Sequence, residues 1–224
     1  MNKIGRRTLF KQAAGGVILS AISRKAAAYA ETFKMPSSPE EAMTMLTQGN
    51  ERFQAKRLTA SQDDLQILRS GTVDEQKPFA AILSCADSRV PVELIFDQSI
   101  GHLFVVRVAG NVADPTTISS LEYGAAVLGV KAMLVIGHRN CGAVKATMAA
   151  KAVPGQISSL YQYIHPGVKA GETDANVASR QNAKYQAGLL RASSPLLASL
   201  IKEQKMSLHS AYYDLETGKV EILT

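Results

Sequence analysis

Among its 224 residues the chain has two cysteines, no tryptophan, and no apolar run long enough to cross a bilayer. The apolar stretch from Ala13 to Ile22 is about ten residues, against the roughly 20 that a spanning helix needs. Arg24 and Lys25 follow it and further oppose an anchor. There is no internal repeat and no low-complexity tract, so a single domain suffices. A basic run is also missing from the body of the chain. The net charge of +6 comes from Lys3, Arg6, Arg7, Lys11, Arg24 and Lys25, in a stretch of thirty residues without an acid. Removing those six from the 25 lysines and arginines leaves 19, equal to the 19 acids. A neutral body has no stripe with which to grip phosphates, so nucleic acid is not an expected partner.

Residues 1–30 read as an address. Gly5-Arg6-Arg7-Thr8-Leu9-Phe10-Lys11, the apolar stretch behind it and the small-x-small Ala28-Tyr29-Ala30 resemble a twin-arginine export signal cleaved after Ala30. The resemblance implies an exported, periplasmic protein that is soluble and keeps no membrane anchor after cleavage. Residues 31–37 then form a linker, and residues 38–224 a single domain of sufficient length for a sizeable core.

The domain reads as α/β, with a mostly parallel central sheet flanked by helices and a C-terminal hairpin or edge strand. Ser38-Pro39-Glu40-Glu41 supplies a cap, a first-turn proline and a capping-box acid. Ala42, Met45, Leu46, Phe53 and Leu58 carry helical periodicity to about Arg57. Residues 59–77 are polar and read as irregular, or as short helical pieces around Leu65 to Leu68. Three continuous apolar runs, 79–84, 103–108 and 132–136, have the composition of strands buried on both faces. Between the last two lies a helix capped by Asp114 and opened by Pro115, with Leu121, Ala125 and Leu128 on its apolar face. Further helices are expected over 143–150, 157–164, 177–191 and 195–205. Residues 207–213 and 220–223 read as a hairpin around Glu216-Thr217-Gly218-Lys219.

The chemistry sits directly after two of the strands. Cys85-Ala86-Asp87-Ser88-Arg89-Val90 follows the first, and Gly137-His138-Arg139-Asn140-Cys141-Gly142 follows the third. Strand C-termini in open α/β sheets face a common crevice. Two thiolates and an imidazole gathered there form a ligand set that selects zinc. With no third cysteine and no other histidine adjoining either motif, Asp87 is the nearest candidate for a fourth position. Arg89 can pair with Asp87 through its planar fork and hold it off the metal, leaving a place for water. Two thiolates offset much of the ion's charge, so activity is expected to improve at higher pH. His102, His165 and His209 have no evident role, and no proton shuttle is identified.

The two motifs, 53 residues apart from Cys85 to His138, resemble those of the β-class carbonic anhydrases. The similarity runs from about Ser38 to Leu223 and includes Gln76, Pro78, Phe104 to Arg107, Asn111 and Tyr123. It implies a zinc lyase, with one Zn2+ per chain, that works as a homodimer or a dimer-based oligomer on carbon dioxide and bicarbonate. By that resemblance Cys85, His138 and Cys141 are metal ligands. Asp87 and Arg89 are the catalytic dyad, with Asp87 also a ligand in a closed form. Gln76, Phe104, Tyr123 and Gly142 bind substrate, Gly142 through its backbone N–H. The implied reaction is attack of a zinc-bound hydroxide, oriented by Asp87, on carbon dioxide. Two positions depart from the family. Ala109 stands where a plant-like subgroup often has a larger aliphatic residue, and the tryptophan used by a subgroup with a regulatory bicarbonate site is absent. Alternatives are a carbon disulfide or carbonyl sulfide hydrolase on the same scaffold, a non-enzymatic zinc protein with Asp87 as permanent ligand, and a Cys85–Cys141 redox pair.

Overall fold

A computed structural model of the chain describes residues 34–60 and 73–223. The export segment and the short helical pieces expected around Leu65 to Leu68 lie outside the described residues.

Five strands form one sheet: β1 (Ala80–Ser84), β2 (Leu103–Arg107), β3 (Ala132–His138), β4 (Ser207–Tyr213) and β5 (Val220–Leu223). Their order is β2-β1-β3-β4-β5. The first four run parallel, and β5 returns antiparallel to β4. Every residue of β1 and β3 is buried, as expected for strands covered on both faces. Alternate side chains divide between two cores. Ile82, Leu134 and Ile136 enter one cluster with Ala42, Leu46, Ile95 and Phe96. Ala81, Leu83, Met133 and Val135 enter the other with Leu121, Leu190 and Leu197. Each fully buried aliphatic side chain of this size contributes about 1.5–3 kcal/mol.

One face is covered by α1 (Pro39–Gln54) and the short α2 (Val92–Ile95). Ser38 caps α1, its Oγ accepting from Glu41 N at 3.2 Å. The Glu41 carboxylate reaches back one residue further than a capping box requires, accepting from Ser37 N at 2.7 Å and Ser37 Oγ at 2.8 Å. The helix ends at Gln54, short of the expected Arg57, where Lys56 turns to φ 57°. Four residues without a side-chain cap give no periodicity to read, which is why α2 was not anticipated.

The opposite face carries α3 (Pro115–Ala126), α6 (Ala175–Ser193) and α7 (Pro195–Lys202). Asp114 caps α3, accepting from Thr117 N at 2.7 Å. Ser194 closes α6 and caps α7. The helix expected through Lys205 stops at Lys202, with Gln204 in the left-handed region. The single helix expected over 157–164 is a 3-10 turn, Ile157–Leu160, followed by α5 (Tyr161–Ile164). Between α3 and α5 lie β3 and α4 (Gly142–Ala149). The hairpin of β4 and β5 is tied to α1 by buried Asn50. Its Nδ2 donates to Ile95 O at 3.1 Å and Gly218 O at 2.9 Å, and its Oδ1 accepts from Val220 N at 2.9 Å. No helix among the described residues is long and apolar enough to cross a membrane.

Candidate metal centre

Parallel pairing of β1 and β3 brings their C-terminal ends side by side, with Ser84 opposite Ile136. Cys85 leaves β1 directly. The strand β3 continues two residues past the expected Ile136, so His138 is its last residue rather than part of the loop. Asn140, at φ 61°, then turns the chain so that Cys141 caps α4. Sequence periodicity could not place this end because Gly137 and His138 carry no apolar signal, yet both are buried.

Cys85, His138 and Cys141 are all buried, and their ligand atoms lie within 4.8 Å of one another. The two Sγ atoms are 3.9 Å apart and both cysteines are free. A disulfide needs about 2.05 Å. Two thiolates on one tetrahedral zinc, each at about 2.3 Å, stand about 3.8 Å apart. His138 Nδ1 lies 3.0 Å from Arg139 O. A carbonyl only accepts, so Nδ1 carries the proton and Nε2 presents its lone pair. That Nε2 is buried without a hydrogen-bond partner. An orphaned imidazole nitrogen facing two thiols, with its other nitrogen anchored to a backbone carbonyl, is the donor set of a zinc centre. These residues fit the metal.

The electrostatics support the same arrangement. The Cys85 thiol is pushed down, chiefly by the hydrogen bond from Cys141, with burial opposing and His138 and the Gly110 N–H assisting. Gly110 N donates to Cys85 Sγ at 3.3 Å. The Cys141 thiol is pushed up by that same bond and by burial.

Asp87 and Arg89 flank the centre. Arg89 Nε donates to Asp87 Oδ1 at 2.9 Å, Nη2 donates to Oδ2 at 2.8 Å, and the Arg89 backbone N also donates to Oδ1 at 2.9 Å. These bonds from Arg89 hold the Asp87 carboxyl well below the usual range, against the effect of burial. Asp87 Oδ2 stands 3.9 Å from His138 Nε2. The carboxylate is thus beside the metal position with both oxygens committed to Arg89. Arg107, at the end of β2, also braces the loop: Nη2 donates to Asp87 O at 2.5 Å and Nε to Cys85 O at 3.2 Å. Nothing in the local sequence marks these Arg107 bonds. The Gly110-Asn111 pair just past a strand was the only signal for the Gly110 N–H.

The remaining site residues are Gly142, Phe104, Tyr123 and Gln76. Gly142 is exposed, follows Cys141 directly and faces open space where a Cβ would stand. Phe104 and Tyr123 form a tilted pair with ring centroids 6.2 Å apart, bridging β2 and α3. Tyr123 is 47% exposed. Gln76 is exposed on the approach to β1. His102, which had no assigned role, packs its ring against Phe79.

Comparison with known proteins agrees with this site. The carbonic anhydrase family model matches residues 80–220, a span holding both motifs. Carbonic anhydrase 2 of Mycobacterium tuberculosis (strain ATCC 25618 / H37Rv) is 35% identical over 194 residues, covering 83% of this chain and 93% of that protein. The carbonic anhydrase of Mycolicibacterium smegmatis is 32% identical over 197 residues, covering 84% and 95%. Among solved structures, a Coccomyxa beta-carbonic anhydrase in complex with acetazolamide superposes with a TM-score of 0.62 at 29% identity, over 70% of this chain and 77% of that one. With two thiols and an imidazole converging where that family model matches, the chain belongs to the carbonic anhydrases, in their β class.

Proposed function

We propose that this protein catalyses the reversible hydration of carbon dioxide to bicarbonate and a proton, with one zinc ion held by Cys85, His138 and Cys141. The observation that carries the reading is the orphaned His138 Nε2 facing two thiols 3.9 Å apart, with Asp87 held alongside by Arg89. A bound zinc ion supplies the Lewis acidity that makes water nucleophilic near neutral pH and stabilises the developing oxyanion. Asp87 accepts a hydrogen bond from the attacking oxygen and so orients it. Its charge persists because the Arg89 guanidinium neutralises and fixes it. With both carboxylate oxygens engaged, Asp87 is restrained from closing the coordination shell, which separates an open catalytic centre from a purely structural one. The Gly142 N–H, at the start of α4, helps orient substrate, and Gln76, Phe104 and Tyr123 form the wall of the substrate pocket.

The strand β2 is a sheet edge made of Leu103, Phe104, Val105 and Val106, only partly buried. An apolar edge of this kind is completed by pairing. We read it as the contact of a homodimer or a dimer-based oligomer, consistent with a solved relative described as tetrameric. The N-terminal Arg6-Arg7 motif supports export to the periplasm, with the body loaded with metal before transport. Zinc quantification paired with a hydration assay from neutral to alkaline pH, on wild type and Asp87→Ala, tests the proposal. Near-stoichiometric zinc in both, with hydration lost in the variant, is expected. Zinc-replete wild type that stays inactive at alkaline pH would overturn it.

A further inference from the structure

Helix α6 buries two amide side chains, Asn182 and Gln186, at zero exposure. Elsewhere on its inner face the helix uses Ala178, Ala183, Leu190 and Ser179, whose hydroxyl donates within the helix to Ala175 O at 2.8 Å. A buried amide is costly unless every polar atom is paired. The two lie one turn apart, and Gln186 Nε2 donates to Asn182 Oδ1 at 3.0 Å. Their outward bonds converge on one short stretch and its neighbour. Asn182 Nδ2 donates to Gly110 O at 2.9 Å, Gln186 Oε1 accepts from Ala113 N at 2.9 Å, and Gln186 Nε2 donates to Tyr163 O at 2.7 Å. The stretch held in this way is the 109–113 turn, whose Gly110 N–H donates to the Cys85 sulfur.

We infer that Asn182 and Gln186 form a positioning pair for the metal centre, fixing the Gly110 turn so that its N–H remains on the Cys85 thiolate. Two backbone groups are involved on one residue: Gly110 is gripped at its carbonyl and gives its N–H to sulfur. The turn has one hydrogen bond of its own, Asn111 N to Val108 O at 2.9 Å, but Gly110 at φ 74° and Asn111 at φ 45° both sit in the left-handed region, a conformation that persists where surrounding structure holds it. An N–H on a thiolate draws charge from the sulfur and lowers its donation to a bound metal, a property that outer-shell groups commonly tune. Apolar residues of similar volume would fill the same space without holding the turn. The inference rests on the reading of Cys85 as a metal ligand.

Cobalt(II) replacing zinc gives a direct readout, because the energy of the sulfur-to-cobalt charge-transfer band reports thiolate donation. The variants are Asn182→Leu and Gln186→Met, both near the original volume. The control is Leu190→Ala, on the same helix but packed in the core cluster of α3 and α7. Both variants are expected to move the band to longer wavelength, as the sulfur loses its N–H partner, and to release zinc to a chelator about tenfold faster, because the loosened turn no longer holds Cys85 in place. The control is expected to melt at lower temperature with its band unmoved. A folded variant with the wild-type band, or an equal shift in Leu190→Ala, overturns the inference. If Asn182→Leu fails to fold, Gln186→Met alone decides, since it releases the turn at Ala113. Wild type without any sulfur-to-cobalt band overturns the metal assignment itself, and this inference with it.

Discussion

Gly110 and Gly129 make a matched pair on which to test how tightly the metal centre is packed. Both are left-handed, at φ 74° and 72°. A Cβ at Gly129 would meet nothing within 4 Å, whereas at Gly110 it would stand 2.6 Å from Ile164 Cδ1 and 3.3 Å from Ala143 Cβ. Gly129→Ala therefore costs only the backbone penalty, about 1–2 kcal/mol. Gly110→Ala adds overpacking of about 1–3 kcal/mol, for a total of about 2–5 kcal/mol. For a chain of this size each kcal/mol lowers the melting temperature by about 2–4 °C. The expected fall is then about 2–8 °C for Gly129→Ala and about 4–20 °C for Gly110→Ala. Calorimetry or denaturant unfolding of the zinc-loaded protein measures both. Zinc release should quicken only in Gly110→Ala, since only Gly110 donates to Cys85 Sγ. Equal destabilisation of the two variants, or unchanged zinc release in Gly110→Ala, would refute the reasoning.

Further outcomes are expected at Arg89, at Asp97 and on removal of the metal. Arg89→Leu removes two of the three hydrogen bonds on Asp87 and frees a carboxylate 3.9 Å from His138 Nε2, so steady-state hydration should fall about 10–100-fold with zinc retained. Asp97 is buried and accepts from Arg52 Nε at 2.5 Å, Thr59 N and Oγ1 at 2.9 Å, and Ala60 N at 3.0 Å, so Asp97→Ala should cost about 3–5 kcal/mol in urea unfolding. Burial pushes the Asp97 carboxyl up, but the Ala60 N–H, Arg52 and Thr59 together outweigh it, so like Asp87 it titrates below its unfolded value. A carboxyl lowered in the folded state stabilises above an unfolded pKa of about 3.9 and loses that contribution as pH falls through the folded value. Stability should therefore drop below about pH 4 in wild type, and less steeply in Asp97→Ala. Removing zinc with a chelator should abolish hydration, and zinc present at about 1,000 times its Kd should raise the melting temperature of the stripped protein by about 8–16 °C.

The sequence carried the parts of this fold that depend on local pattern. Buried parallel strands read directly from continuous apolar runs, and Ser38, Asp114 and the prolines following them marked helix starts that the structure keeps. The metal ligands were legible because two motifs follow two strands that pair in parallel. What was hidden depended on tertiary neighbours. At the extended end of β3, Gly137 lets α6 pack closely, since a Cβ there would stand 2.7 Å from Ser179 O. The hold of Asn182 and Gln186 on the Gly110 turn joins residues more than seventy positions apart, which no local periodicity reports. The same holds for Asp97, whose partners on α1 and the following loop come from 37 to 45 residues upstream.

Zinc-edge X-ray absorption on the purified protein tests the metal assignment most directly. Two sulfur neighbours at about 2.3 Å with nitrogen or oxygen neighbours at about 2.0–2.1 Å, at one zinc per chain, is the expected result. A zinc shell of nitrogen and oxygen alone, with Cys85 and Cys141 still reactive toward a thiol reagent, would contradict it.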